Sequence, residues 1–153
     1  MRIRQGGFTL IELVIVIVIL GLLAATALPR FINITQDARI ASVQGVAGGL
    51  RGGLSLAKAQ ALVSGSAGNP CGGGAATVCM DGIAVAVNAS NYPTGGASGS
   101  GIENAMQGLD GYTFVYPTAN RTTAFRPVNG GNATCQALYD ADVGSVTVTS
   151  GGC

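Results

Sequence analysis

The sequence predicts an α+β fold in which one long N-terminal α-helix packs on a small antiparallel β-sheet head. Three observations lead there. Residues Phe8 to Leu28 are apolar apart from Thr9, Glu12, Gly21 and Thr26; apolar residues recur at three- and four-residue steps from Val43 to Ala61; and β-rich segments alternate with turn residues after Gly101. The expected organisation is a leader over 1–7, a hydrophobic transmembrane or assembly helix over 8–30, an amphipathic helix over 31–63, and a globular head over 64–153 that begins with a Gly-rich loop.

The first segment carries the most information. Phe8 to Leu28 is 21 residues, and at about 1.5 Å per residue such a helix covers about 30 Å, the thickness of a bilayer's hydrocarbon core. Arg2 and Arg4 precede it with no acid between them, so the N-terminus is expected to stay cytoplasmic while the rest of the chain crosses. A cleaved secretory signal competes, because Ala25-Thr26-Ala27 imitates a small-residue cleavage site. Against it stand the length of the run and Glu12, a carboxylate at its fifth position. An ionisable group inside a membrane segment is costly and normally has a partner. Snorkelling to the headgroups would give Glu12 a bland role; pairing with an ammonium gives it a functional one.

Beyond Pro29, Val43, Val46, Ala47, Leu50, Leu54, Ala57 and Ala61 mark one face of a helix, while Gln44, Arg51, Ser55 and Lys58 fall elsewhere. The helix is expected to reach about Val63. Pro29 lacks a backbone donor and Gly21 is a second weak point, so a kink is expected between them. Gly45, Gly48, Gly49, Gly52 and Gly53 lie in the same helix, each costing about 1 kcal/mol relative to alanine. Ala41, Gly45, Gly49, Gly53 and Ala57 recur every four residues, which makes a seam of small side chains for close packing against the subunit's own sheet or a neighbouring helix.

From Ser64 to Gly101 the composition is that of turns and loops, with one strand expected over Ile83 to Val87. A short helix is expected over Ile102 to Leu109, then strands over Tyr112 to Tyr116, Thr122 to Arg126, Thr134 to Tyr139 and Val143 to Thr149. Four cysteines allow three pairings. Pairing sequential neighbours, Cys71–Cys79 and Cys135–Cys153, closes two short loops beyond the membrane, where oxidation is expected. A zinc site on four thiols would want closer spacing than this.

Charge and composition exclude several functions. Lys+Arg 8 against Asp+Glu 7 gives +1, and loss of Arg2 and Arg4 with the leader leaves six against seven, or −1. No basic field is present to attract nucleic acid. Charged residues make up 10% of the chain, against roughly 25% in ordinary domains, which suits packing against copies of itself. There is no histidine, no HExxH or EF-hand spacing and no Walker motif, so neither catalysis nor a cofactor is expected. Asp140 and Asp142 are a weak metal candidate: in an extended segment they would point to one side, although a solvated acidic turn explains them as well. Asn-x-Ser/Thr sequons begin at Asn33, Asn88, Asn120 and Asn132; chance accounts for such short motifs in this composition.

Gly7-Phe8-Thr9-Leu10-Ile11-Glu12 followed by the apolar run resembles the leader junction of type IV pilins and pseudopilins. The resemblance implies that a prepilin peptidase cuts after Gly7, that the new N-terminus at Phe8 is methylated, and that Glu12 meets the Phe8 ammonium of a neighbouring subunit in a helical homopolymer built by a dedicated assembly machinery. It also implies unwinding between Gly21 and Pro29 in the filament. Pro29-Arg30-Phe31, Asp37-Ala38-Arg39, Gln44-Gly45-Val46, Gly101-Ile102, Ala133-Thr134-Cys135 with Tyr139, and Val146-Thr147-Val148 before Cys153 are similar to the mannose-sensitive haemagglutinin (MSHA) group of type IVa pilins. The Cys71/Cys79 pair departs from that group. The function expected is a structural subunit, held in the inner membrane as a precursor and then exported into a surface filament for adhesion or motility. Two alternatives are a pseudopilin of a type II secretion or DNA-uptake machine, in which Asp140 and Asp142 would be a calcium site, and a monomeric bitopic protein that binds a ligand with its Gly-rich loops.

Overall fold

A computed structural model of the chain describes residues 7–64, 71, 76–95, 99–117 and 121–153, the side chains of 28–33 excepted. The leader arginines, the Pro29 ring and two of the sequons, Asn33 and Asn120, therefore lie outside what is described. The chain divides into two compact units, Met1–Asp37 and Ala38–Cys153. It consists of one helix, α1 (Leu10–Ser64), a hairpin of β1 (Thr77–Met80) and β2 (Ile83–Ala86), and a four-stranded sheet of β3 (Tyr112–Val115), β4 (Thr122–Pro127), β5 (Gln136–Asp140) and β6 (Ser145–Thr149).

In the first unit α1 is apolar on every side. Its large side chains from Leu10 to Leu23 are all exposed, and Leu10–Ala27 is long and apolar enough to cross a membrane. The helix continues without a break through Gly21 and Pro29. The isolated subunit thus keeps this stretch helical, because an internal proline removes a single donor while the turns on either side retain theirs. Any unwinding belongs to another state of the chain.

In the second unit α1 has one buried face. Val43, Ala47, Leu50 and Ala57 are fully buried. The first three pack with Ile102, Phe125, Ala137 and Tyr139, and Ala57 with Ala61, Val78, Val85 and Val87 on the hairpin side. The larger sheet is antiparallel in the order β3-β4-β5-β6, with Phe114 opposite Phe125 and Phe125 opposite Ala137. The alternation of a strand sends Phe114, Phe125, Ala137, Tyr139, Val146 and Val148 to the helix side. The Phe114 and Phe125 rings meet edge to face at 5.4 Å. Tyr139 is buried with its hydroxyl donating to the Pro93 carbonyl at 2.7 Å. Burial, reinforced by Asp140 and then Tyr92, pushes that hydroxyl's pKa above its ordinary value. The neutral phenol therefore contributes stability below about pH 10, and the contribution is lost as the solution becomes more alkaline.

Three sequence expectations are corrected. Residues Ile102 to Leu109 form no helix: Asn104, Ala105 and Met106 donate to Gly101, Ile102 and Glu103, three residues back each time. Gly108, at φ 71°, then turns the chain away before a hydrogen-bonded helical turn can propagate. The segment read as loop contains the hairpin β1–β2, whose two-residue turn is Asp81-Gly82, both with positive φ. Asp-Gly is the strongest short hairpin signal, and only its second strand was expected. The strands expected from Thr134 and Val143 begin later, at Gln136 and Ser145, since the preceding residues form turns.

The small-residue seam is split in two. A Cβ on Gly49 would stand 3.2 Å from Met106 Cε, and one on Gly53 3.1 Å from the Ala105 carbonyl oxygen. These two glycines let the 102–106 turn, not the sheet, lie close against α1. Gly45, Gly48 and Gly52 have open space where a Cβ would be. Gly48→Ala and Gly52→Ala should each raise the unfolding free energy by about 0.5–1 kcal/mol, whereas Gly49→Leu should lower it by about 1–3 kcal/mol through overpacking; urea titration of the three variants checks the opposite signs.

Cys135 is bonded to Cys153 and Cys71 to Cys79, and no described cysteine is free. The Cys135–Cys153 bridge closes a separation of 18 residues, so replacing both cysteines by alanine should cost about 3 kcal/mol by chain entropy. The shift in the denaturation midpoint of that variant measures it.

Candidate assembly site

Glu12 and the residues before it form one local structure. Gly7, Phe8 and Thr9 are not helical, and α1 begins at Leu10. Leu13 N–H already donates to the Thr9 carbonyl, which makes Thr9 the N-cap and Glu12 the third helical residue. Thr9 donates to Glu12 Oε2 twice, from its amide at 2.9 Å and from its hydroxyl at 2.8 Å. Glu12 N–H donates in return to the Thr9 hydroxyl oxygen at 3.3 Å. This is a reciprocal capping box, worth about 1 kcal/mol to the start of a helix.

The box changes what Glu12 is. From sequence it stood as a charge without a partner in its own chain; in the folded subunit its first partner is Thr9, one turn back. Thr9 is the functional residue that the sequence reading passed over. The Thr-x-x-Glu spacing was the available signal, overlooked because the same four residues were being read as part of a membrane segment. Both Thr9 bonds fall on Oε2, so Oε1 keeps its lone pairs for a donor from elsewhere. The carboxylate also lies in the first turn, where it complements the positive end of the helix dipole. Phe8 is almost fully exposed beside it.

The remaining candidates are dispersed. Gly21 lies within α1 in open surroundings. Asp140 and Asp142 are engaged in their own turn: Asp140 Oδ1 accepts the Asp142 N–H at 2.9 Å, and Asp142 Oδ2 pairs with Arg121 Nη2 at 2.6 Å. No group of three acidic, His or Cys side chains able to hold a metal occurs among the described residues. The amides of Asn88 and Asn132 are structural, donating to the Ala141 and Gly152 carbonyls, while their Oδ1 atoms cap turns at Ser90 and Thr134. Two of the four sequons thus serve the fold.

The N-terminal geometry, a capped helix opening an apolar span behind a Gly-Phe pair, is what comparison with known proteins picks out. Residues 2–28 match the family described as the prokaryotic N-terminal methylation motif. The chain is 50% identical over 58 residues to the type IV narrow pilus major component PilA5 of Thermus thermophilus, covering 38% of this chain and 50% of that protein. It is 37% identical over 71 residues to a type IV major fimbrial protein FimA of Dichelobacter nodosus, covering 46% and 43% respectively. With the fimbrial protein EcpC of Eikenella corrodens it shares 47% identity over 51 residues, 33% of each chain. The matches span half or less of the length of these relatives. No solved structure matches.

With Asp142 held by Arg121, a calorimetric titration with calcium should give no saturable heat up to about 1 mM, the weak end of extracellular calcium sites. Saturable binding abolished by Asp142→Asn would restore the pair as a cation site.

Proposed function

We propose that the protein is the structural subunit of a type IV pilus, made as a precursor in the inner membrane, cleaved after Gly7, methylated at Phe8 and polymerised into a surface filament. The observation that carries this reading is the coincidence of the N-terminal methylation motif over 2–28 with an α1 whose first 18 residues are apolar on every side. The relatives named as type IV pilus and fimbrial components support it, as does the α+β arrangement of one long helix followed by antiparallel strands. Within the type IVa pilins we favour the MSHA group on the residues quoted above.

The role of each site residue follows from physical chemistry. Cleavage after Gly7 creates an ammonium at Phe8. Glu12, steadied by Thr9 through one oxygen, offers the other to the ammonium of a neighbouring subunit. Two buried charges recover their desolvation cost only in good geometry, so the pairing selects subunits in the correct axial register. The open glycines at 45, 48 and 52 leave room for a neighbouring backbone to approach. Gly21 and Pro29 bound the stretch expected to unwind once lipid is replaced by neighbouring helices. The partners are copies of the same chain, the prepilin peptidase and the assembly machinery; no enzymatic activity is assigned. Adhesion or motility is the expected use of the filament.

Glu12→Ala and Glu12→Val should leave the chain processed and membrane-inserted but unable to enter filaments. Mass spectrometry of the N-terminus and electron microscopy of sheared appendages test this together. Normal filament yield from either variant would remove Glu12 from assembly, and absence of the wild-type chain from any filament would overturn the function proposed.

A further inference from the structure

We infer that Arg39 is a mechanical stop: it fastens α1, at the start of the second compact unit, to the disulfide-closed C-terminal loop, so that unwinding of the helix nearer the N-terminus halts there. The described side chains of α1 from Ile34 to Ala38 are exposed, and the second unit begins at Ala38. Arg39 is the first residue of α1 with a printed bond to a distant part of the chain. Its Nη1 donates to the Cys153 main-chain oxygen at 2.9 Å, across a separation of 114 residues. The next anchors follow at once: the Ser42 hydroxyl is hydrogen-bonded to the Tyr112 hydroxyl, and Val43 is the first fully buried side chain of α1.

The loop that receives Arg39 is held from several directions. Cys153 is bonded to Cys135, which immediately precedes β5, a central strand of the sheet. Gly152 N–H donates to the Thr134 carbonyl, and Asn132 Nδ2 donates to the Gly152 carbonyl at 3.1 Å. Gly130, at φ 83°, lies against the guanidinium so closely that a Cβ would come within 2.8 Å of Arg39 Cζ. A load carried along α1 therefore passes from Arg39 to Cys153, through the disulfide to Cys135, and into β5. A charge-assisted bond to a covalently closed loop resists opening better than the neutral backbone bonds of an exposed helix. The stop is a property of the free subunit and does not depend on its polymerising.

Hydrogen exchange of the full chain in detergent micelles, with both disulfides oxidised, tests the inference at single-residue resolution. In the wild type the step from fast to slow exchange should fall near Ala38. In Arg39→Ala the amides of residues 39–43 and 150–153 should exchange roughly three- to tenfold faster, with β5 unchanged, moving the step about one turn toward Val43. Arg39→Gln, whose shorter amide does not reach Cys153, should behave the same way and serves if the alanine variant does not fold. Unchanged exchange over 39–43 in a folded variant would overturn the inference. So would equal acceleration through β4 and β5, which would make Arg39 a general stabiliser.

Discussion

An apolar helix surface that cannot be left in water is the constraint on which the rest of this molecule depends. From Leu10 to Ala27 no face of α1 is polar enough to be solvated, so the segment is stable only in lipid or against other apolar surfaces. That requirement governs where charge is placed. Glu12 is the one ionisable side chain in the span, and it sits in the first turn, where Thr9 donates two hydrogen bonds to it. The same carboxylate one or two turns deeper would have neither a cap nor a favourable dipole end.

The second unit meets the complementary requirement of presenting little charge to its surroundings. Each basic side chain from Arg39 onward is bound within the unit. Arg39 holds Cys153, Arg51 donates to the Val146 carbonyl on the edge strand β6, and Arg121 pairs with Asp142. Arg126 donates to Gln136, and Lys58 donates to the Tyr92 hydroxyl while lying 4.2 Å over its ring. These contacts tie helix to sheet, strand to strand and loop to helix. A unit whose cations are used internally is poorly suited to steering nucleic acid or anionic partners, and well suited to packing beside uncharged neighbours.

Legibility in the sequence followed the range of the interaction. The span, the amphipathic face of α1 and the later strands were readable because each rests on a periodicity set by local backbone geometry. The capping box at Thr9 and the hairpin turn at Asp81-Gly82 are local as well and carried recognisable signals, which the surrounding hydrophobic and Gly-rich composition masked. The 102–106 turn was misread for a different reason. Its alternative to a helix is stabilised by the approach of Ala105 and Met106 to Gly49 and Gly53, half the chain away.

By itself the sequence determined an apolar segment long enough to span a bilayer, a single carboxylate near its start, and a continuation with one buried face, because hydropathy and helical period are properties of consecutive residues. Only the tertiary structure decided that Gly49 and Gly53 face inward while Gly45, Gly48 and Gly52 do not, that Asp142 is matched with Arg121, and that Arg39 meets Cys153. Those outcomes depend on which distant residues the chain brings within hydrogen-bonding or van der Waals range, and spacing along the sequence carries no such distance.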